Sequence, residues 1–577
     1  MTNERAGVLC TRAINQYRRR DILPYVGLRY YLSASAARRD RWAREVAPHI
    51  LLTSSQPSYL HTYHFKDLKP DSPVEYRDIH VPGPNTALVE ASLLDECSKF
   101  SEFTMSDSVY SYRLAQENDR SGIFSNYFVG YRERHSAITR ACISKPSGFV
   151  LHTDIRKFYP SIDASLALTI WAQVCEVSGI SSKGREIGER MLFDHASVAA
   201  ITPNCKGILT GPMFSHLIGN LILKSLDAEI SAYLPDGYFR YVDDICLVGD
   251  RSEVDGARNI LKRRLSDLGF QMNEDKELGH SASEWISGAD SQFTQDETPN
   301  WMTLVDHTKR LLLAYPEQRI ALMEAFSAAD MRIPILDYSE AIRESKYLSS
   351  FINRLRWYGF RFNTQGLNIR QILGEAEEIR ERISLELSSR LDHIDEVKGL
   401  VRKRMIPRLR YLAGRLLYLG RSDLIAKIGA RLSDIPELKV HGAILKSIGS
   451  RDATELISLG TNTVQPAAQV LRLQDAPIKL QGHPNTEAEK QGLAIFNLNG
   501  IKVDTESTGE SRHELREFAE WNERIPKWND INAPFIRELT CLHGSNRDRQ
   551  HSTILDSAFD IDEQLSFDAI EQLQQSS

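Results

Sequence analysis

The stretch that decides the fold is residues 238–248, which read Tyr238-Phe239-Arg240-Tyr241-Val242-Asp243-Asp244-Ile245-Cys246-Leu247-Val248. Apolar and β-branched residues lie on both sides of the polar pair Asp243-Asp244, and this pattern predicts two short strands joined by a tight turn. Adjacent carboxylates at a turn repel each other, and a fold tolerates them most readily when a divalent cation lies between them. The stretch therefore predicts a β-hairpin that presents carboxylates to a cation.

A further aspartate ends a second strand-like run upstream. This run is Phe149-Val150-Leu151-His152-Thr153-Asp154, and the aromatic pair Phe158-Tyr159 follows it. Asp154 and Asp243 are 89 residues apart, which leaves room for a helical crossover between two strands of one sheet. We therefore expect Asp154 to lie in the same sheet as the hairpin.

Two other segments accompany these aspartates. A Gly211-Pro212 turn precedes the apolar run Met213–Leu223, and this order predicts a turn that opens a long helix. Lys276 stands 33 residues after Asp243, behind the turn-like sequence Leu268-Gly269.

In this order the four segments resemble the palm motifs of reverse transcriptases, over roughly residues 100–290. The resemblance places Asp154 at the first-strand aspartate, Gly211–Asn220 at the glycine-turn-helix segment, Tyr241–Asp244 at the Y-x-D-D box and Lys276 at the lysine of the next motif. A Y-x-D-D box alone also fits a surface turn, whereas four motifs in order are far more specific.

The resemblance implies nucleotidyl transfer, in which a 3′-hydroxyl attacks an α-phosphate and pyrophosphate leaves. Two Mg²⁺ ions, or Mn²⁺ in their place, would be held by carboxylate oxygens. Asp154 and Asp243 are the expected bridging ligands, with Asp244 as a less direct third carboxylate and the Ile155 carbonyl as an added oxygen. Lys276 would serve as general acid or charge clamp; the alternative is a solvated lysine.

Nucleotide contacts can be read from the same motifs. Tyr159 stands five residues after Asp154, where the resemblance implies an aromatic block to a ribose 2′-hydroxyl and thus deoxynucleoside triphosphates as substrates. Gly211 is a further expected nucleotide contact. Arg132 and Arg134 are candidate triphosphate contacts, because guanidinium groups match phosphate geometry. The alternatives are a core position for Tyr159 and an exposed helix face for the arginines.

Some positions depart from the common pattern. Thr210 stands where glutamine is usual, and His216 replaces a common proline. The nearest candidate for a primer-grip segment is Trp285–Gly288, and no metal-binding cysteine and histidine cluster of the intron-encoded type is present. Intron mobility is therefore not expected.

Composition describes a soluble globular chain without a membrane span. The 577 residues are 42% hydrophobic and 26% charged, and no apolar run reaches the length of a transmembrane helix. The seven cysteines are scattered without a C-x-x-C pair, which favours reduced thiols in the cytosol. Net charge is −6, yet residues 1–50 hold ten arginines and no lysine, which predicts local attraction to nucleic acid.

The predicted fold class is α+β, in four parts. Residues 1–100 form a basic N-terminal segment and the start of the fingers, and residues 101–295 the fingers and palm. Residues 300–480 show helix after helix, typical of a HEAT-like repeat domain that would replace the thumb. Residues 481–577 would form a hairpin at Asn499-Gly500, helical segments and an acidic tail.

A palm followed by a helical domain resembles the bacterial abortive-infection and unknown-group defence reverse transcriptases. The resemblance implies antiphage DNA synthesis with a single-stranded DNA product. It also implies a template or non-coding RNA, or no template, and a homo-oligomer or a partner protein. Some members prime from a tyrosine hydroxyl. Candidate priming residues are Tyr17, Tyr25, Tyr30, Tyr31, Tyr411 and Tyr418.

Three other functions fit parts of the sequence. The first is a conventional RNA-templated reverse transcriptase, either retron-like or domesticated. The second is a HEPN-like ribonuclease, suggested by the spacing of Arg537 and His543. The third is a non-catalytic helical scaffold, which the three filled aspartate positions argue against.

Overall fold

The computed structural model describes residues 2–17, 21–68, 74–115, 122–287, 300–335, 351–473, 477–482 and 484–505. These residues form two compact units of mixed α+β structure. The first unit contains the described residues of Met1–Thr62 and Asp78–Ser291, and the second those of Tyr63–Arg77 and Gln292–Arg524. Arg537 and His543 lie outside the described residues.

Helices dominate the first unit. They are α1 (Asn3–Tyr17), α2 (Ile22–Ser33), α3 (Ala47–Thr53, after a π-helical turn Trp42–Val46), α4 (Pro84–Cys97), α5 (Tyr127–Ser144), α6 (Phe158–Ser161), α7 (Ala164–Val177), α8 (Ser182–Ala199), α9 (Met213–Tyr233), α10 (Arg251–Asp267) and α11 (Ala282–Ser287). A two-stranded sheet of β1 (Tyr59–Leu68) and β2 (Val74–Pro82) joins α3 to α4.

A four-stranded antiparallel sheet organises the first unit. Its strands are β3 (Phe149–Asp154), β4 (Tyr238–Tyr241), β5 (Asp244–Gly249) and β6 (Leu278–Ser281), in the spatial order β4-β5-β3-β6. Helices α5 and α11 pack against this sheet and share an apolar cluster with it. The cluster comprises Ala137, Ile138, Cys142, Val150, Phe239, Cys246, Val248, Ala282 and Trp285.

The predicted Gly-Pro turn and the helix after it are both present. Gly211 has a φ of +122°, and a Cβ at this position would lie 2.3 Å from the His80 carbonyl oxygen. Only glycine fits here, because both the backbone conformation and the close approach exclude a side chain. The helix α9 then begins at Met213 and is buried over most of its surface, consistent with its apolar composition.

The helices α1 and α2 of the N-terminal segment belong to the first unit. Arg12 is 1% exposed and lies 3.4 Å from the Asp95 carboxylate of α4, which also pairs with Arg5. Arg38 donates to the Leu32 carbonyl and the Thr11 hydroxyl. These three arginines pair within the fold, and the predicted local attraction of the segment to nucleic acid would have to come from its other arginines.

The second unit is mainly helical. Its helices are α12 (Trp301–Ala314), α13 (Arg319–Ala328), α14 (Phe351–Asn363), α15 (Ile369–Asp392), α16 (Gly399–Leu419), α17 (Ser422–Ser433), α18 (Lys439–Ser450), α19 (Thr454–Ile457), α20 (Thr461–Leu471) and α21 (Glu487–Leu498). Neighbours pack in pairs, α15 on α16, α17 on α18 and α20 on α21. The tip of the β1–β2 hairpin belongs to this unit, where the Phe65 amide donates to the Asn462 side chain at 3.0 Å.

The hairpin predicted at Asn499-Gly500 is wrong. The apolar residues before it lie in helix α21, and the strand after it, β8 (Val503–Thr505), pairs in parallel with β7 (Ile478–Leu480). Gly500 has a φ of +72° and follows the end of the helix. An Asn-Gly pair therefore ends a helix here, a position that also favours glycine in the left-handed conformation.

No helix in the described part of the chain is long and apolar enough to cross a membrane. The described cysteines are free thiols: Cys10, Cys97, Cys142, Cys175, Cys205 and Cys246.

Candidate active site

The predicted hairpin at residues 238–248 is confirmed, with its turn one residue earlier than the sequence indicated. Strands β4 and β5 pair with Tyr241 opposite Asp244, so Val242 and Asp243 are the two central turn residues. Val242 has a φ of +59°, the conformation required at the first central position of a type II′ turn, where glycine is usual. A β-branched residue in this conformation is strained and must be held by its surroundings.

Two contacts hold the turn. The Val242 amide donates to the Ser111 hydroxyl at 2.7 Å, and the Arg240 guanidinium donates to the Val242 carbonyl at 2.9 Å. Both polar groups of the strained residue are therefore satisfied, and Asp243 is presented at a fixed position.

Asp154 and Asp243 lie side by side at the same end of the sheet, at the end of β3 and in the turn before β5. Strand β3 lies antiparallel to β5 with Asp154 opposite Asp244, and the Ile155 amide donates to the Asp243 carbonyl at 3.1 Å. The end of β3 is thus bound directly to the hairpin turn. The two aspartates share one sheet, as the sequence predicted.

Lys276 lies beside the first of these aspartates. It ends a 3₁₀ turn, Glu274–Lys276, and its ammonium nitrogen is 3.6 Å from Asp154 Oδ2. The preceding Asn273 amide donates to the Asp154 carbonyl at 2.9 Å. One backbone hydrogen bond therefore ties the lysine segment to the strand that carries the aspartate.

The donor set suits a hard divalent cation that two carboxylates and a bound substrate coordinate together. Asp154 Oδ1 is buried and has no hydrogen-bond partner among the described residues, so an acceptor atom remains for a ligand. No group of three histidine, cysteine or acidic side chains within the described ranges converges closely enough to hold a metal ion. Mg²⁺ is commonly bound by one or two carboxylates together with substrate phosphates, so Asp154 and Asp243 fit this ion.

Asp244, the third carboxylate, is bound by a buried arginine. Arg134 of α5 donates to both Asp244 carboxylate oxygens, at 3.0 and 3.1 Å, and to the Asp244 carbonyl at 3.3 Å. Burial is the largest influence on the pKa of the Arg134 guanidinium and lowers it, but the charge of Asp244, its hydrogen bonds and the nearby Cys246 and Tyr131 together raise the pKa above its usual value. In the structure Arg134 therefore fixes Asp244 and is not exposed as a triphosphate contact.

A second buried arginine was missed by the sequence analysis. Arg240 is fully buried and makes a bidentate contact with the Asp227 carboxylate of α9, with both N···O distances 2.7 Å. Arg240 also donates to Asn220 at 3.0 Å, and the Tyr238 hydroxyl donates to Asp227 at 2.7 Å. This network joins the long helix to the hairpin that carries Asp243. Its only sequence signal is an arginine within an apolar strand.

Tyr159 lies in a wall of aromatic rings. Its hydroxyl is 2.7 Å from His216 Nδ1, and the His216 ring stacks on Tyr112 with centroids 3.7 Å apart. His216 is the residue that replaces the common proline. The histidine therefore fixes the orientation of the tyrosine ring on which sugar selection is expected to depend.

Other predicted residues are placed elsewhere. Arg132 is exposed on α5 and lines a cleft between that helix and residues 107–113. Trp285, the first residue of the nearest primer-grip candidate, is 5% exposed in the apolar cluster that α5 and α11 share with the sheet, and it donates to Thr139 at 3.0 Å, so this side chain belongs to the core.

Most of the predicted priming tyrosines are enclosed. Tyr17, Tyr25, Tyr31 and Tyr418 are 0–1% exposed. The Tyr17 hydroxyl donates to Glu90 at 2.5 Å, and burial raises its pKa well above the usual value. The burial of these four side chains does not favour them as priming groups, and their role stays a prediction. Tyr411 is partly exposed between the Arg408 and Arg415 guanidiniums, and the Tyr30 side chain lies outside the described residues.

Comparisons with known proteins add little. No protein-family model matches the sequence, and no curated protein matches it. Among solved structures the chain is similar to telomerase from Candida albicans in complex with a fragment of telomeric RNA. The two chains are 12% identical over 70% of this chain and 68% of that chain, with a TM-score of 0.28. A likeness at this TM-score does not establish a shared fold.

Proposed function

We propose that the chain is a metal-dependent nucleotidyltransferase that synthesises DNA, a polymerase of reverse-transcriptase type. The observation that carries the proposal is the meeting of Asp154 and Asp243 at one sheet edge with Lys276 beside them. The contacts of Ser111 and of the buried Arg240 with Val242 hold the turn that carries Asp243.

Each residue has a distinct task in this proposal. Asp154 and Asp243 would hold Mg²⁺, and the bound ion would supply a lower pKa for the attacking hydroxyl and neutralise charge on the leaving oxygens. Lys276, whose ammonium group lies beside Asp154, would donate a proton to the departing pyrophosphate or stabilise its negative charge. Arg134 and Arg240 do not touch substrate; they hold Asp244 and the turn in place.

Replacement of either aspartate by asparagine tests the proposal. Asp154→Asn and Asp243→Asn keep the side-chain shape but remove a metal ligand, so deoxynucleotide incorporation should fall by about a thousandfold or more at an unchanged melting temperature. Asp255→Asn, in an exposed ion pair of α10, is the matched control and should leave activity unchanged. Wild-type incorporation by either active-site variant, with Mg²⁺ or Mn²⁺, would overturn the metal assignment.

A finer proposal concerns biological role and priming. The motif order and the helical second unit resemble the defence-associated reverse transcriptases, and on this resemblance we extend the proposal to antiphage DNA synthesis in the bacterial cytoplasm. Tyr411 is the described candidate whose ring remains partly exposed. If it primes synthesis, the DNA product stays attached through denaturant and is released by protease, and Tyr411→Phe abolishes this attachment.

A further inference from the structure

A cleft of about 640 Å³ lies beside the hairpin in the first unit. One wall is helix α5, and the other is the segment 107–113, whose Tyr110 amide donates to the Arg240 carbonyl at 2.9 Å. The cleft therefore flanks β4, the strand that leads to the Asp243 turn. Its lining includes three arginines, Arg113, Arg132 and Arg140, two acidic residues, Asp107 and Glu133, and the ring of Tyr110.

Positive charge in this cleft is incompletely compensated. Arg113 is engaged by Glu133 at 3.1 Å and by the Asp107 and Val109 carbonyls. Arg132 and Arg140 are exposed, and neither guanidinium has an ion pair or hydrogen bond with the described residues. With Arg113 paired to Glu133, the guanidiniums of Arg132 and Arg140 outnumber the single Asp107 carboxylate in the cleft. An excess of positive charge at one place in a chain of net charge −6 points to an anionic ligand.

The spacing of these cations suits an extended polyanion. Arg132, Ser136 and Arg140 recur every fourth residue along one face of α5. The two arginines are thus separated by about 12 Å along the helix axis. At about 3.4 Å per stacked nucleotide, this distance spans roughly three to four nucleotides of one strand.

Aromatic side chains on the same helix favour a nucleic acid over an acidic peptide. Phe128 is 40% exposed and Tyr131 is 44% exposed, both within one turn of Arg132. Exposed rings beside arginines offer stacking surfaces for unpaired bases of any sequence.

The lining of the cleft does not include Tyr159 or His216, the residues on which sugar selection is expected to depend. Tyr112 stacks on His216 beside Tyr159, whereas the next residue, Arg113, lines the cleft. Arg134, two residues after Arg132, is buried against Asp244. The two arginines first considered together as triphosphate contacts therefore serve different sites.

We propose that the cleft between α5 and residues 107–113 binds the phosphate backbone of a single nucleic-acid strand through Arg132 and Arg140. This inference rests on the proposed function for the role of that strand as substrate or product. Binding itself requires no catalysis, so it can be measured with the reaction stopped.

The test is the affinity of the full-length protein for fluorescently labelled dodecathymidylate, measured by anisotropy in EDTA at several salt concentrations. The variant Arg132→Ala/Arg140→Ala should bind about tenfold more weakly at 0.1 M salt. Its slope of log K against log salt should be shallower by about 1.4, since each phosphate contact on a single strand contributes about 0.7. Arg41→Ala/Arg44→Ala removes two exposed positive charges elsewhere in the first unit and is the matched control.

Three results would overturn the proposal: unchanged affinity of the cleft variant, an equal loss in the control variant, or equally strong competition by polyglutamate, which would indicate a surface for acidic protein. Failure of the proposed function gives a different pattern. In that case Asp154→Asn and Asp243→Asn retain activity, whereas the cleft variant still loses binding at an unchanged melting temperature.

Discussion

At the scale of single residues, two buried arginines explain why the turn at Asp243 can be strained and still be fixed. Arg134 binds Asp244 across 110 residues of sequence, and Arg240 binds Asp227 and the Val242 carbonyl. A buried guanidinium is stable only if its donors are satisfied, so each arginine restricts the positions of the groups around it. The catalytic arrangement proposed here is therefore held by charges that do not touch substrate.

The Arg240 network gives the first prediction. Asp227→Asn leaves a fully buried guanidinium without its countercharge and should lower the free energy of unfolding by about 3–5 kcal/mol. Urea unfolding of the variant measures this loss. Asp255→Asn, which breaks the exposed pair with Arg251, should cost less than about 1 kcal/mol. An equal decrease in the free energy of unfolding in the two variants would show that the buried network stabilises the fold no more than an exposed ion pair.

Sugar selection gives the second prediction, which follows from the proposed function. Tyr159→Val removes the ring beside His216 and should raise ribonucleotide use relative to deoxynucleotide use by about tenfold or more in paired incorporation assays. Tyr159→Phe keeps the ring and loses only the hydrogen bond to His216, so it should retain most of the discrimination. An unchanged ratio in folded, active Tyr159→Val would place the discrimination elsewhere.

At the scale of elements, the sequence predicted those turns and strands whose conformation is determined by neighbouring residues. The β4–β5 hairpin and the Gly211 turn were both predictable, because alternating apolar residues and a Gly-Pro pair restrict the backbone directly. The Asn499-Gly500 pair shows the limit of this reasoning, since the same dipeptide suits a hairpin and a helix end. The Tyr17 hydroxyl has its partner 73 residues away and Arg134 has its partner 110 residues away, and the periodicity of a segment carries no information on such distant contacts.

The packing of α17 on α18 gives an element-scale prediction. A Cβ at Gly442 would lie 2.4 Å from the Ser433 hydroxyl oxygen and 2.6 Å from its amide nitrogen. Gly442→Ala should therefore lower the free energy of unfolding by about 1–3 kcal/mol. Gly374→Ala is the matched control, because its added methyl group meets no atom within 4 Å and the helix gains up to about 1 kcal/mol. Thermal unfolding should show shifts of opposite sign, and a stabilised Gly442→Ala would contradict this helix packing.

At the scale of the whole molecule, both units enclose histidines that stay neutral. Burial lowers the pKa of His80 and of His195 to about 3 in the first unit, and lowers that of His441 well below its usual value in the second. Burial acts in the opposite direction on two carboxyls, raising the pKa of Glu90 to about 7 and that of Asp194 to about 6. The stability of the protein should therefore depend on pH through groups far from Asp154 and Asp243.

The sign of this dependence gives the last prediction. A histidine whose folded pKa lies below its unfolded value of about 6.5 takes up its proton preferentially in the unfolded chain. Stability is then complete above pH 6.5 and falls toward pH 3 by about 1.4 kcal/mol per unit for each such group. Glu90 and Asp194 oppose this loss down to about pH 4, because their raised pKa values favour the protonated folded state, so the loss should steepen below that pH.

His195 isolates the effect, because neither of its ring nitrogens has a hydrogen-bond partner among the described residues. In His195→Leu the difference in unfolding free energy from wild type should be constant above pH 7. By pH 4.5 wild type should have lost about 2–3 kcal/mol of unfolding free energy relative to the variant, as measured by urea titrations. A difference that stays the same from pH 8 to pH 4.5 would show that the histidine does not remain neutral inside the fold.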